Sequence, residues 1–276
     1  MQIKKFDSKA KEYEELKKCW CEVFGDDPDY VDELYYALGA TGYALSDNDE
    51  LHSFLTLFEA GEFEGTPVMV SYGICTWPQS RGKAYASTLV QHVRDEAIAQ
   101  SAITLISPAE PSLVEFYSGL GYQPSFLAEN HEVDAAVLED ISTNVRVLSA
   151  AEYNNKREEF LAGIPHVIFS DEFMNFVRND SVNAQGTLLI NNGDAICTIN
   201  YGSDDEMGIS ELIVNPVLAS LNSEIAEQIA ASIAALFEVD KCYYRTPATG
   251  NMSYVQSMTA GRSISSDLPY YGFPLD

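Results

Sequence analysis

Positive charge is what this chain has least of. Its 276 residues carry 16 Lys and Arg against 42 Asp and Glu, a formal net charge of −26. A field of that sign repels phosphodiester backbones and anionic lipid headgroups, which excludes nucleic acid and membrane surfaces as expected partners. No apolar run of about 18 residues is present, so no membrane-spanning helix is expected. The opening stretch MQIKKFDSKAKEYEELKK is charged throughout and has no apolar core of the kind a signal peptide needs. The five cysteines (Cys19, Cys21, Cys75, Cys197, Cys242) are odd in number and scattered, and Cys19-x-Cys21 has no second ligand pair nearby. His52, His92, His131 and His166 show no ligand spacing either. Neither a structural metal nor a disulfide framework is expected, which leaves reduced thiols in a cytoplasmic protein.

Apolar residues are plentiful by contrast. Hydrophobic residues make up 46% and aromatics 11%, enough for a packed core, and the length suits two domains or one large one. Tyr13 to Leu38 reads as helical, interrupted at Gly25-Asp26-Asp27-Pro28. Strands are expected at Tyr43–Ser46, Leu51–Phe58 and Val68–Thr76, with a loop from Gly61 to Pro67. A helix over Ser80–Ala99, a strand at Ile103–Ser107 and a short helix over Ser112–Leu120 complete the first half. This alternation predicts an α/β layer with a partly parallel sheet.

The second half repeats that order, with helices at Glu152–Leu161 and Ser170–Val177 and strands at Thr187–Ile190, Ala195–Tyr201 and Ile209–Val214. A helix over Ser223–Phe237 and a strand at Cys242–Arg245 follow. Ile74-Cys75-Thr76-Trp77-Pro78 aligns with Leu212-Ile213-Val214-Asn215-Pro216 at an offset of 138 (212 − 74). Ser107-Pro108-Ala109 aligns with Thr246-Pro247-Ala248 at an offset of 139 (246 − 107). Nearly equal offsets across a helix and a strand indicate two tandem copies of one unit, residues 1–140 and 141–276.

The chemistry concentrates after the third strand. Between Leu51 and Asp140 the only Lys or Arg residues are Arg81, Lys83 and Arg94, and two of these three flank Gly82 where a strand turns into a helix. Helix N-terminal amides and a glycine that permits close backbone approach suit a bound phosphate. A solvated turn with incidental basic residues is the competing interpretation. In the second copy the turn reads Val217-Leu218-Ala219-Ser220-Leu221-Asn222, without glycine or basic residue. Glu206 and Glu211 either line a cleft or sit on a solvated strand face.

Gln79-Ser80-Arg81-Gly82-Lys83-Ala84 resembles the acetyl-CoA motif Gln/Arg-x-x-Gly-x-Gly/Ala of the GCN5-related N-acetyltransferases (GNAT). Phe116-Tyr117-Ser118-Gly119-Leu120-Gly121-Tyr122 resembles their later Phe-Tyr-x-x-x-Gly-Tyr/Phe motif, in the right order and context. The resemblance covers about residues 16–122 and implies a GNAT-like mixed sheet flanked by helices. It also implies that the second copy is a degenerate one. Acetyl-CoA is then the co-substrate, with Ile74, Cys75 and Thr76 pairing with the pantetheine arm. Arg81, Gly82, Lys83, Ala84, Tyr85 and Ala86 would hold the pyrophosphate. Tyr117 matches the general acid for the leaving thiolate. No carboxylate occurs between Pro67 and Trp77, where many members place a base, and Glu110-Pro111-Ser112 replaces the usual Asn. Glu110 and the terminal carboxylate of Asp276 are therefore candidate bases, water being the third. The aromatic tail before Asp276 fits either that role or plain packing. The acceptor implied is a small-molecule or peptide amine, favoured as a cation by the acidic field. A non-catalytic CoA-sensing or protein-interaction module is the alternative. Self-association is left open.

Overall fold

The computed structural model of the chain describes residues 1–139, 141, 145–179, 188–191, 193–201, 206–249, 253–264 and 268–272. The first half folds as β1 (Gln2–Phe6), α1 (Lys11–Phe24), α2 (Pro28–Leu38), β2 (Thr41–Asp47), β3 (Glu50–Phe63) and β4 (Thr66–Thr76). A 3₁₀ turn at Pro78–Ser80 leads to α3 (Tyr85–Ala99), β5 (Ile103–Ile106), α4 (Ser112–Gly119) and β6 (Gln123–Asp134). The second half gives β7 (Arg146–Val147), α5 (Ala150–Phe160), β8 (Ile168–Phe169), α6 (Asp171–Asn179), β9 (Leu188–Asn191) and β10 (Ala195–Tyr201). It ends with β11 (Glu206–Val214), α7 (Pro216–Leu221), α8 (Ile225–Leu236), β12 (Lys241–Pro247) and β13 (Tyr254–Ala260). The fold is mixed α/β, with mixed strand pairing flanked by helices. Among the described residues no helix is long and apolar enough to cross a membrane.

Contacts divide the chain into two compact units, Met1–Ser125 with Ser257–Ser265, and Phe126–Gln256 with Ser266–Asp276. This division differs from a single cut at residue 140, because most of β6 belongs to the second unit and the end of β13 to the first.

In the first unit β1 to β4 pair antiparallel in succession, β4 pairs parallel with β5, and Met258–Ala260 of β13 run antiparallel to β5. In the second, β7, β9, β10 and β11 pair antiparallel, β11 pairs parallel with β12, and β6 runs antiparallel to β12. The parallel pairs share a register: Val68 faces Ile103 and Glu206 faces Lys241, 35 residues apart in both (103 − 68 and 241 − 206).

Local chemistry explains most element ends. In α1, Tyr13, Leu16 and Trp20 recur at helical spacing and are buried. Gly25 closes the helix at φ 82°, its N–H donating to Cys21 O at 3.0 Å. α2 opens with Pro28, and the Asp27 side chain accepts from Asp29 N at 2.9 Å. β3 lies inside the sheet, so Ser53–Phe58 are buried on both faces. The loop expected at Gly61–Pro67 is instead a tight hairpin. Glu64 (φ 48°) and Gly65 (φ 74°) form its two-residue turn, and Pro67 already pairs opposite Glu62. A glycine and a proline signalled a break where the backbone needed only a positive-φ pair.

Candidate functional site

The candidate site lies in the first unit, where β4 outruns its parallel neighbour. Pairing of β4 with β5 ends at Val70–Leu105, while β4 stays paired with β3 as far as Thr76. Residues 71–76 therefore have no parallel β5 partner on that side. A bulge interrupts the β3–β4 register between Tyr72 and Cys75. Gly73 sits there at φ 56°, and a Cβ on it would meet the Trp20 ring at 1.9 Å. Trp20 is itself 1% exposed, with its indole N–H donating to Asp26 at 2.7 Å. The indole of α1 and the missing side chain at Gly73 thus fit one another and hold the bulge. Of the predicted strand residues, Ile74 and Thr76 are half-buried. Cys75 is buried, and the adjacent Cys19 thiol together with burial pushes its thiol well up. The Cys75 side chain is core, so only its backbone could meet a ligand.

The turn that follows is supported from beneath. Trp77 N donates to His52 O at 3.1 Å, and buried Ser80 shares a 2.9 Å hydrogen bond with His52 Nδ1. The His52 ring stacks on Tyr85 at 4.6 Å and 7°, and the Tyr85 hydroxyl donates to Asp47 at 3.3 Å. Tyr85 is thus an anchor through its side chain. Above this support Arg81, Gly82, Lys83 and Ala84 are exposed. Gly82 (φ 78°) and Ala84 (φ 59°) both take positive φ around Lys83, an alternation that turns successive amides to one side. An alanine there costs on the order of 1 kcal/mol or more, a strain of the kind found at ligand clamps. α3 has no side-chain N-cap and no acidic residue in its first turn. Among the described residues no side chain accepts from its leading amides, those of Tyr85 and Ala86 included. Arg81 reaches only Thr76 O, at 3.4 Å, and neither Arg81 nor Lys83 has a carboxylate partner among the described residues.

Arg94, the third basic residue of this region, does different work. Its Nη1 donates to Leu120 O, where Gly121 (φ 88°) leaves room, and its Nε donates to Asp95 at 2.8 Å. It closes the end of α4.

Tyr117 is 7% exposed, and burial pushes its phenol up to about 12. Its ring centroid is 6.3 Å from that of Tyr122. The Tyr122 hydroxyl shares a hydrogen bond with Thr104 of β5 at 3.2 Å and lies beside Ser71 of β4. Tyr122 thereby places Tyr117 next to the point where β4 and β5 part. The Tyr117 hydroxyl has no protein hydrogen-bond partner among the described residues. Glu110 is exposed in the β5–α4 connection and accepts from Ser112 Oγ at 2.5 Å. Asp276 lies outside the described residues. Among the described residues no cluster of His, Cys, Asp and Glu could hold a metal ion, and all five cysteines are free thiols. His52, which braces the turn, carries no local signal in sequence because it acts across strands, whereas Tyr122, which braces Tyr117, closes the Phe-Tyr motif. Gly73 did carry one, as a glycine inside a strand pattern.

In the second unit Glu211 is neither cleft lining nor solvated face. It is 1% exposed and meets Arg157 Nε at 3.1 Å and Tyr153 OH at 2.8 Å. Arg157 also donates to Val167 O and Tyr271 O, so the buried Tyr270-Tyr271 segment is tied into that core. Tyr254, near the place equivalent to Tyr117 at the repeat offset, lies in strand β13 and not on a helix.

Residues 10–122 match the model of the Acetyltransferase (GNAT) family, a span that falls within the first unit. A conserved protein of unknown function from Enterococcus faecalis V583, described as a probable N-acyltransferase, is similar in structure. It has a TM-score of 0.67 at 12% identity, over 94% of this chain and 72% of that one. A GCN5-related N-acetyltransferase from Anabaena variabilis ATCC 29413 gives 0.64 at 16%, over 94% and 72%. A tandem GNAT protein from the clavulanic acid biosynthesis pathway gives 0.55 at 9%, over 94% and 98%. No curated protein matches the chain in sequence. At these identities the likeness is one of fold, and it extends over nearly the whole chain.

Proposed function

We propose that the protein is an N-acetyltransferase that uses acetyl-CoA and acts on a primary amine, with the chemistry in the first unit. The observation that carries this is the uncapped start of α3, with exposed Arg81 and Lys83, directly after the stretch of β4 that lacks a parallel partner. Amides free of side-chain acceptors favour a pyrophosphate. The open edge of Ile74, Cys75 and Thr76 suits an added strand, here the pantetheine amides. The amine nitrogen attacks the thioester carbonyl, the C–S bond breaks, and Tyr117 gives its proton to the departing sulfur. A phenol near 12 is fully protonated at neutral pH, so its proton is present when the sulfur departs. The amine proton leaves to a base, for which Glu110 is the described candidate, Asp276 a second and water a third.

The second unit serves as a degenerate copy of the first. Its identical pairing order and its 35-residue parallel register support descent from one repeat. Free thiols throughout suit a reducing cytoplasmic setting. The missing carboxylate on β4 and the exposure of Glu110 favour one other reading, a CoA-sensing module without turnover. Calorimetric titration with acetyl-CoA is expected to show binding in the micromolar range. No heat and no thermal shift at millimolar ligand would end both readings. Acetyl transfer to a panel of polyamines and aminoglycosides then separates enzyme from sensor.

A further inference from the structure

The second unit contains a cavity of about 540 Å³ where β11 and β12 part. Their parallel pairing stops at Ile209–Tyr244, and the diverging ends are walled by the start of α8 and the end of α5. The volume is in the range of small-molecule sites. Phe160, Leu161, Ile213 and Ala226 supply apolar surface, and His131 stacks on Tyr244 at 4.8 Å. Apart from His131, whose Nε2 lies 3.8 Å from Glu129, the ionisable groups of the lining are all acidic. Glu129, Glu224 and Glu227 line the cavity, and no Lys or Arg does among the described residues. Glu129 is 8% exposed and held by Thr249, whose N and Oγ1 both donate to it at 2.7 Å. A buried carboxylate fixed by two donors is a built feature and not a solvated face. Glu224, the N-cap of α8, and Glu227, on its first turn, are both exposed.

We propose that this cavity is a binding site for a small organic cation, an ammonium on an apolar alkyl or arylalkyl body. The apolar walls take the body, and the three carboxylates with the Tyr244 face take the charge. The same carboxylates repel a pyrophosphate, so CoA is excluded here. The site is independent of the acetyl-CoA assignment in the first unit.

The test uses the full chain with 4-phenylbutylammonium and its anionic near-isostere 4-phenylbutanoate, followed by saturation-transfer NMR and calorimetry. The ammonium is expected to bind, and the carboxylate at least about tenfold more weakly. The exposed double change Glu224→Lys with Glu227→Lys should weaken the ammonium at least about tenfold without lowering the melting temperature appreciably. Ala219→Trp, at an exposed lining position, should block the cavity and abolish binding. Failure of the ammonium to bind overturns the proposal. So does equal binding of both probes, or binding untouched by both the charge reversal and Ala219→Trp.

Discussion

In each unit a strand that has just lost its parallel partner runs into a proline-led turn, yet the two turns dispose of their backbone amides in opposite ways. After β4 the chain passes Pro78, takes two positive-φ residues at Gly82 and Ala84, and starts α3 with no side chain on its amides. After β11 the Asn215 side chain immediately accepts from Val217 N at 3.0 Å, and α7 starts at Pro216 with no basic residue nearby. The cations follow the same division. Arg81 and Lys83 stand exposed at the first turn, whereas Arg157 of the second unit is spent inside the core on Glu211 and two carbonyls. One frame thus keeps donors in reserve and the other satisfies them internally. The difference lies in a few residues, not in topology.

The largest expected effect tests the internal satisfaction. Glu211→Leu strands the Arg157 guanidinium in a core where it is 1% exposed, and should cost about 4 kcal/mol. The urea midpoint should fall sharply, and Arg157→Met added to Glu211→Leu should recover much of it. A single-variant midpoint within error of the parent would show that the pair does not hold that core.

Tyr117→Phe should come next, with turnover lower by about a hundredfold and CoA affinity unchanged. Tyr254→Phe, on a strand of the second unit, should leave turnover alone. The pH profile carries a sign. A general acid works while protonated, so with the phenol at about 12 its contribution persists through neutral pH and is lost only as pH rises through that value. No alkaline limb below about pH 10 should depend on Tyr117. A limb near pH 8 that disappears in Tyr117→Phe would contradict the assignment.

Smaller again is the charge at the turn. Arg81→Glu should weaken CoA by about thirtyfold, near 2 kcal/mol in calorimetry. Val217→Glu, exposed at the corresponding turn of the second unit, should do nothing to it. Arg94 is no suitable control, because it closes α4 through Leu120 O. Equal losses from Arg81→Glu and Val217→Glu would dissolve the distinction between the two turns.

What could be read from the sequence follows from how local each feature is. The turn at Gly82, the break at Gly25–Pro28 and the strand-to-helix order are short-range signals carried by glycine, proline and periodicity. The near-constant offset signals a repeated strand–helix–strand unit, but not the residue pairings of β4–β5 and β11–β12, which depend on how the strands meet. β1, β6, β7, β8 and β13 have no counterpart among the expected strands; β1 is an edge strand whose exposed Lys4-Lys5 breaks apolar alternation. Placement of β6 and β13 in different units cannot be read locally, because it depends on which partner strand each chooses after the chain has turned. Arg157–Glu211 was hidden for the same reason, 54 residues apart and each unremarkable alone.

The smallest change addresses the cap itself. Asn215→Ala removes the one side chain that closes the α7 amides and should cost about 1 kcal/mol, seen as a shift of a few degrees in melting temperature. It frees an amide without supplying either a positive-φ turn or a cation, so CoA affinity should not change. If Asn215→Ala instead creates a second CoA site with measurable heat, then capping alone separates the two turns. The basic residues and the strained Ala84 would then be incidental to phosphate recognition. If it creates none, an open helix start is insufficient, and the Gly82–Ala84 conformation with its two cations is what distinguishes the first unit.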